Sequence, residues 1–179
     1  MEYVVLVDEK NCEVGTAEKE TVHTKTTPLH RGFSLFLFNK NGQLLLTQRA
    51  RTKKTFPGVW TNTVCGHPAP NEAVADAAKR RLKDELGIEG AEIKEAAPYR
   101  YRVADNNGIF ENEICPILVG FYNGDPKPNP DEVGGWQWIN WDDFLENTKA
   151  EVPAYSPWSI GEAKILATKK FLPKDLVPQ

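Results

Sequence analysis

The first part of the chain is patterned as strands. Positions 2–7 are rich in β-branched residues and can pair with positions 13–18 across a short turn. The apolar runs 33–38 and 43–48 flank an Asn-Gly pair at 41–42, which supports the positive φ angles of a tight hairpin. We therefore predict that two hairpins open the fold.

The clearest helical periodicity lies in the middle of the chain. Apolar side chains recur at every fourth position from Val74 to Leu86. Asn71 suits the N-cap, and Gly87 suits the left-handed conformation that ends a helix. The pattern predicts one helix between these two residues.

Strands and turns return after this helix. Residues 99–104 and 109–122 are predicted strands, joined by an Asp-Asn-Asn-Gly turn. Residues 124–130 are a predicted loop, because their prolines cannot donate ladder hydrogen bonds. A short strand at 136–139 precedes a short helix that Asn140 opens.

A last helix closes the predicted pattern. Ser156 as N-cap and Pro157 at the first helical position predict a helix that runs to about residue 171. The order of elements indicates an α/β (α+β) fold. Because the chain shows no repeat, low-complexity tract or linker, we expect one domain over residues 1–179.

Composition excludes several classes of protein. With 40% hydrophobic residues, 26% charged residues and a net charge of −3, the chain has no overall field that would attract nucleic acid or an acidic membrane. No apolar run approaches the roughly 18 residues of a membrane helix, and no signal peptide is recognisable. Three scattered cysteines form neither a disulfide framework nor a zinc motif. We expect a reduced, cytoplasmic monomer that binds neither nucleic acid nor membranes.

Three groups of polar residues could carry chemistry. The basic run 49–54 is either a solvated loop or an anion site. Glu111 and Glu113 point to one face of a strand, where they are either solvated or share a cation or proton. The histidines, listed next, are surface or packed residues or else ligands that would complete a nitrogen and oxygen site for a divalent ion. They are His23, His30 and His67.

Cys65 is the cysteine with the most suggestive surroundings. Gly66 follows it and allows a close approach to the backbone, and His67 lies nearby. The thiol is either an inert buried group or a thiolate stabilised by the basic loop. Composition alone does not choose between these interpretations.

The segment from Gly66 to Ile88 resembles the Nudix box, a loop and helix that hold a metal ion against a diphosphate. Two positions depart from that pattern: Arg81 stands where the box carries a glutamate, and Asp84 replaces the first of two adjacent glutamates. Reversing a charge on the metal-binding face weakens a hydrolytic metal cluster and adds a cation that suits a diphosphate. The pattern indicates a Nudix fold with altered chemistry.

A wider set of residues is similar to the type 1 isopentenyl-diphosphate isomerases, in order and spacing from Lys19 to Trp158. The most specific segments are Trp-Thr-Asn-Thr-Val-Cys-Gly-His-Pro around Cys65 and Glu-Asn-Glu-Ile-Cys-Pro around Glu113. The resemblance implies a Nudix-like mixed β-sheet sandwich flanked by helices. It also implies interconversion of isopentenyl and dimethylallyl diphosphate, in isoprenoid biosynthesis.

The same resemblance assigns roles to individual residues. Cys65 and Glu113 would be the acid and base on opposite faces of the alkene, without an assignment of which protonates it. Tyr101 would hydrogen-bond Glu113, and Trp158 would offer its π face to a carbocation.

Two metal sites and an anion pocket complete the implied site. A Mn²⁺ or Zn²⁺ ion would be held by His23, His30, His67, Glu111 and Glu113. A Mg²⁺ ion would lie between Glu85 and the substrate diphosphate. The diphosphate would also contact Lys19, Arg49, Lys53 and Arg81.

Two other functions remain open on the sequence. A Nudix hydrolase would release inorganic phosphate from nucleoside diphosphate derivatives, although Arg81 argues against that chemistry. A non-catalytic diphosphate-binding module would show no turnover at all.

Overall fold

Two mixed β-sheets carry the fold in this computed structural model, which describes residues 2–150, 154–171 and 173–176. In chain order the elements are β1 (Tyr3–Val7), β2 (Glu13–Glu18), α1 (Lys19–Val22), β3 (His30–Arg31), β4 (Phe33–Phe38), β5 (Gln43–Arg49), β6 (Trp60–Thr61), β7 (Val64–Gly66), α2 (Val74–Leu86), β8 (Glu92–Ala97), β9 (Arg100–Ala104), β10 (Phe110–Ile114), β11 (Ile117–Phe121), β12 (Val133–Asn140), α3 (Trp141–Asn147), α4 (Pro157–Thr168) and a 3-10 helix at Pro173–Leu176.

The chain passes between the two sheets at two adjacent points. The first sheet has the order β2-β1-β3-β10-β9 and the second β12-β5-β4-β11-β8, with β6 paired to β5 and β7 to β4. β3 continues into β4 through Gly32, and β10 continues into β11 through Cys115 and Pro116. Both crossings run in parallel: Gly32 N donates to Ile114 O at 2.9 Å and Ser34 N donates to Pro116 O at 3.2 Å. This double crossing sets the register between the two sheets.

The core lies on both faces of the second sheet. One cluster packs Leu35 and Leu37 of β4 against Leu82 and Leu86 of α2. The other packs the intervening residues of β4, including Phe36, against α3 and α4. Because successive strand side chains point to opposite faces, a strand such as β4, which is apolar except for Ser34, is buried on both sides. The predicted α+β arrangement of mixed sheets flanked by helices is confirmed.

Local patterns predicted several elements well. The strands 2–7, 13–18, 33–38 and 43–48 are all present within one residue of the predicted bounds. Gly87 ends α2 in the left-handed conformation at φ 63°, as predicted. The predicted N-cap of α4 is also confirmed, since Ser156 Oγ accepts from Ser159 N, although that helix ends at Thr168 rather than near residue 171.

Other local predictions were wrong. Ala73, not Asn71, occupies the N-cap of α2, and Asn71 instead adopts a left-handed conformation in the preceding turn. The predicted strand 109–122 is two strands in different sheets, because the chain changes sheet at Cys115 and Pro116. By contrast, the predicted hairpin of β4 and β5 is confirmed, with Gly42 at φ 72°, but the two strands pair directly only at Phe38 and Leu44, since β6 and β7 pair with other residues of β5 and β4.

β12 is twice the predicted length, and β8 together with the short elements α1, β3, β6 and β7 was not predicted. The single domain over residues 1–179 stays a prediction, and residues 1, 151–153, 172 and 177–179 lie outside the described part. No helix in the described ranges is long and apolar enough to cross a membrane.

The predicted loop at 124–130 docks on the C-terminal end of α2. Lys127 N donates to Leu86 O at 2.7 Å, and Asn129 N donates to Glu85 O at 2.8 Å. These bonds satisfy carbonyl groups that the end of a helix leaves unpaired. The loop then leads into Glu132, whose carboxylate reaches the functional site described below.

We predict that Gly87→Ala lowers the free energy of unfolding by about 1–2 kcal/mol, because an L residue is strained at positive φ. A new Cβ there would also lie 3.1 Å from Lys127 Cβ. Gly90→Ala is the matched control, since Gly90 has φ +76° but no atom within 4 Å of a new Cβ. Urea unfolding should give a larger loss for Gly87→Ala; equal losses would mean that the docked loop adapts without cost.

Candidate active site

A cavity of about 530 Å³ opens where the two sheets meet. It collects nearly all the residues that the sequence predicted for the site. His30 and Glu85 are the predicted residues that do not line it. Those that do are Lys19, His23, Arg49, Lys53, Cys65, His67, Arg81, Tyr101, Glu111, Glu113 and Trp158.

Five of the predicted metal ligands form one cluster. Each of the residues offers a donor atom, and these atoms lie within 4.8 Å of one another. The members are His23, His30, His67, Glu111 and Glu113. Neutral imidazoles with carboxylates are a donor set that suits zinc, manganese or a similar divalent ion.

The sheet register brings these ligands together. Glu113 of β10 is paired in parallel with His30 of β3, and Glu111 lies two residues earlier on the same face. His67 directly follows β7, and His23 directly follows α1. His30 Nδ1 lies 2.9 Å from Pro28 O, a contact in which Nδ1 donates and Nε2 is left to face the cluster.

The cluster contains unsatisfied polar atoms, as expected of a metal site. His30 Nε2 and His67 Nε2 lie 3.2 Å apart, and His67 Nε2 lies 3.0 Å from Glu113 Oε1. His23 Nε2 is 3.0 Å from Glu111 Oε2 but makes no hydrogen bond with any described residue. A cation satisfies such a set better than the side chains satisfy one another. The donor set and its geometry therefore fit a divalent metal ion.

Gly32 makes room for the carboxylate of Glu113. An ideal Cβ built at Gly32 would overlap Glu113 Oε2. The glycine is therefore needed for its lack of a side chain at the crossing between β3 and β4.

Electrostatics hold Glu113 as a carboxylate. Burial alone would raise its pKa, but the neighbouring imidazoles of His30 and His67 keep that pKa well below the usual range. Burial lowers the pKa of His67, whereas for His30 the interactions with Glu113 outweigh burial and raise the pKa. The cluster therefore keeps Glu113 in its charged form.

Cys65 and Trp158 are held by a single amide that the sequence did not single out. Asn62 Oδ1 accepts from Cys65 Sγ at 3.1 Å, Trp158 Nε1 at 3.3 Å and Thr61 Oγ1 at 2.8 Å. Asn62 Nδ2 donates to Leu35 O at 3.0 Å, which fixes the orientation of the amide. The sequence feature that could have identified Asn62 as a site residue was its position within the Cys65 motif.

The environment of Cys65 favours a neutral thiol. Burial is the largest influence and the charge of Glu162 the next, and together they raise the pKa of Cys65 to about 12. Hydrogen bonds with Ser34 and Asn62 act in the opposite direction. The site thus offers a thiol and a carboxylate in different protonation states.

Tyr101 is cross-strand from Glu113 in the pairing of β9 with β10. The predicted hydrogen bond between them is not made among the described residues, and the Tyr101 ring instead stacks on the Trp158 ring, with their centroids 5.9 Å apart. Burial and the charge of Glu113 raise the pKa of Tyr101 well above its usual value. The two stacked rings form the aromatic side of the cavity.

Cations line the other side of the cavity and share carboxylate partners. Arg81 Nη2 donates to Glu85 Oε1 at 2.6 Å and to Glu132 Oε2 at 3.1 Å. Lys53 also donates to Glu132, a residue that the sequence reasoning missed. Burial lowers the pKa of Lys53 to about 8, so an added anion would stabilise its charged form.

The remaining predicted cations, Lys19 and Arg49, line the same cavity, and Glu85 lines an adjoining one. Arg49 donates to Thr55 O at 3.0 Å, and its guanidinium lies 5.8 Å from the centre of the Trp158 ring. Lys19 pairs with Glu2 at 2.5 Å. Glu85 lines a small adjoining cavity with Lys53, apart from the His/Glu cluster.

Comparisons with a family model and with curated proteins agree on one family. The NUDIX domain model matches residues 28–158. The isopentenyl-diphosphate Delta-isomerase of Saccharopolyspora erythraea is 48% identical over 159 residues, covering 88% of this chain and 82% of that protein. The enzyme of the same name from Klebsiella pneumoniae is 45% identical over 164 residues, covering 91% and 89%.

Solved structures agree on the fold. A Deinococcus radiodurans protein superposes with a TM-score of 0.73 at 20% identity, covering 92% of this chain and 98% of that one. The MutT protein of Methanosarcina mazei superposes with a TM-score of 0.67 at 16% identity, covering 80% and 96%. At such identities the similarity establishes the fold alone, whereas the sequence relatives extend over most of both chains. The chain therefore belongs to the isopentenyl-diphosphate Delta-isomerase family of NUDIX-domain proteins.

Proposed function

We propose that this chain interconverts isopentenyl and dimethylallyl diphosphate, the activity that its family membership gives it, by using Cys65 and Glu113 as the paired acid and base. The observation that carries this assignment is that both side chains line one cavity although they come from different sheets. The substrate is a small-molecule diphosphate, and its isomerisation feeds isoprenoid biosynthesis.

The reaction requires two proton-transfer groups at separate positions. An alkene has no carbonyl group to polarise, so one group adds a proton to carbon and creates a tertiary carbocation. A second group removes a proton from a different carbon. Because the isomerisation is reversible, each group acts as acid in one direction and as base in the other. A thiol on β7 and a carboxylate on β10 meet this requirement.

The aromatic side of the cavity suits a transient cation. Trp158 is almost fully buried and stacks with Tyr101 beside Cys65 and Glu113. The π face of an aromatic ring attracts a positive charge. Dry surroundings also keep water from trapping the carbocation as an alcohol.

The five-residue His/Glu cluster would hold Mn²⁺ or Zn²⁺. The charge of such an ion would lower the proton affinity of Glu113. Glu113 would then be both a ligand and a proton-transfer group.

The cations bind the diphosphate as a handle. Lys53 and Arg81 share Glu132 as a partner, and a diphosphate offers them more acceptor oxygens than one carboxylate does. Lys19 and Arg49 line the same cavity. Glu85 would hold a Mg²⁺ ion that offsets the charge of the diphosphate. Binding energy from this handle positions the alkene between Cys65 and Glu113.

We also propose that the protein acts as a cytoplasmic monomer without nucleic acid or membrane partners. Its three free cysteines support a reducing compartment. Light scattering at micromolar concentration tests the oligomeric state.

Cys65→Ala and Cys65→Ser should lower kcat by roughly 10²–10⁴-fold, because each removes a proton-transfer group. Incubation with isopentenyl diphosphate in deuterated water, followed by NMR of the product, measures this loss. Cys12→Ala is the matched control, since Cys12 is an exposed free thiol. Wild-type turnover in Cys65→Ala would remove the thiol from the mechanism.

Loss of the His/Glu cluster should abolish tight metal binding together with activity. We expect His67→Ala and Glu111→Ala to lose the bound ion, and Gly32→Ala to lose it as well, because its new Cβ displaces Glu113. Metal analysis of the purified, folded variants measures occupancy separately from turnover.

Gly134→Ala is the control for Gly32→Ala, since its new Cβ would meet only ordinary contacts, beginning at 3.6 Å. Full metal content and activity in His67→Ala after chelator treatment would contradict the five-residue site.

Arg81→Glu should raise KM by well over tenfold, because it removes a charge-assisted hydrogen bond worth about 1.5–3 kcal/mol and adds repulsion. Arg81→Lys should be milder, since it keeps the charge and loses the planar fork. Steady-state kinetics check both variants, with Lys83→Glu as an exposed control on the same helix. An unchanged KM in folded Arg81→Glu would mean that Arg81 serves only its pairs with Glu85 and Glu132.

A further inference from the structure

Asn62 is a buried residue to which the proposed reaction gives no part. It lies between β6 and β7, is 0% exposed and is not among the described residues that line the cavity. A buried amide costs stability unless both its oxygen and its nitrogen have hydrogen-bond partners. The identity of those partners therefore shows what Asn62 can do.

The amide nitrogen fixes the orientation of the side chain. Asn62 Nδ2 donates to Leu35 O at 3.0 Å and to Val64 O at 3.3 Å. Leu35 and Val64 are cross-strand partners in the pairing of β4 with β7, so the amide is anchored to the second sheet. Only the nitrogen end of an amide can donate, and a flipped amide would leave both carbonyl groups without this donor. The position of Oδ1 is thereby fixed.

The amide oxygen has more donors than lone pairs. Thr61 Oγ1 donates to it at 2.8 Å, Cys65 Sγ at 3.1 Å and Trp158 Nε1 at 3.3 Å. A carbonyl oxygen has two lone pairs, and a thiol is a weak donor compared with a hydroxyl or an indole. The thiol hydrogen is therefore the one that the oxygen can lose most easily.

The indole ring of Trp158 is held on several sides. The Phe56 ring meets it edge to face with the centroids 5.0 Å apart, and the Tyr101 ring stacks on it at 5.9 Å. The bond from Nε1 to Asn62 adds a directional contact within the plane of the ring. Because the same oxygen accepts from Cys65, one atom sets the position of the thiol relative to the aromatic ring.

We propose that Asn62 is a positioning residue for Cys65 and Trp158, whose thiol hydrogen and indole N–H it holds in one arrangement. When the thiol hydrogen turns toward the substrate, Trp158 and Thr61 keep the amide oxygen satisfied. In the direction in which Cys65 is the acid, its S–H bond breaks as a C–H bond forms, and the sulfur keeps the electron pair. Glu113 takes up the proton that the carbocation loses. The inference rests on the proposed participation of Cys65 in the reaction.

Steady-state kinetics test the role. Asn62→Ala should lower kcat by roughly tenfold to a hundredfold, the range of two lost hydrogen bonds. KM should be unchanged, because Asn62 contacts none of the proposed diphosphate-binding cations in the part of the chain that the structure describes. Asn39→Ala is the matched control, since Asn39 is also buried and hydrogen-bonded but lies in the turn between β4 and β5. Wild-type kcat in folded Asn62→Ala, or an equal loss in Asn39→Ala, would overturn the proposal.

Vibrational spectra test the contacts independently of catalysis. The infrared S–H stretch of Cys65, assigned by its loss in Cys65→Ala, should lie where a hydrogen-bonded thiol absorbs. Thr61→Val should shift this band further in the same direction, because it removes a competing donor, whereas Asn62→Ala should shift it to the position of a free thiol. The ultraviolet resonance Raman spectrum of Trp158, assigned with Trp158→Phe, should show a hydrogen-bonded indole N–H.

The spectra decide the matter even where Asn62→Ala does not fold. Free thiol and free indole N–H bands in the wild type would overturn the shared contact, and an unmoved S–H band in Thr61→Val would overturn the competition between donors. A fully active Cys65→Ala, with hydrogen-bonded bands in the wild type, would instead overturn the proposed function and leave the contacts as described.

Discussion

The parallel double crossing of the chain from one sheet to the other is the constraint on which the site depends. Gly32 N donates to Ile114 O at the point where β3 and β10 end, and Ser34 N donates to Pro116 O where β4 and β11 begin. The ladder places His30 directly beside Glu113 on one side of the crossing. Beyond the crossing, the pairing of β4 with β7 places Cys65 beside Ser34. The metal cluster and the thiol therefore belong to different sheets but share one cavity.

Burial then assigns a protonation state to each group. Two groups that would both be neutral in a dry cavity are separated by their partners: imidazoles stabilise the carboxylate of Glu113, while Cys65 has only neutral hydrogen-bond partners and keeps its proton. The difference between the two groups follows from which elements surround them, not from the residues next to them in sequence.

The structure shows where Arg81, the residue that departs from the Nudix box, makes its contacts. Arg81 replaces an acidic residue on α2 and forms a cation pair with Lys53 around Glu132, beside Glu85. This arrangement places two cations together, as the proposed diphosphate pocket requires. The carboxylate that we propose as catalytic, Glu113, lies instead on β10 and lines the cavity with the aromatic rings and the thiol. In the proposed function, α2 therefore contributes to binding the diphosphate, and the proton transfers take place beside the sheet crossing.

The sequence by itself determined the features that short-range physics controls. Runs of apolar and β-branched residues located the main strands, and a period-four apolar pattern located α2. Gly87 marked the end of that helix because few other residues tolerate its φ. The spacing of chemically specific residues, including Cys65 and Glu113, identified the family. These features depend on residues that are near one another in the chain.

Only the tertiary structure decided where the chain changes sheet and which polar groups meet. The strand at 109–122 looks continuous in sequence, yet it breaks at Pro116 because its second half pairs with β4 and β8 in another sheet. Glu132 carries no local pattern that points to Lys53 or Arg81. Its partners come from distant segments, and the contacts exist because strand register and helix packing bring those segments together. Register is a cooperative property of the whole sheet, so residue types along one segment do not specify it.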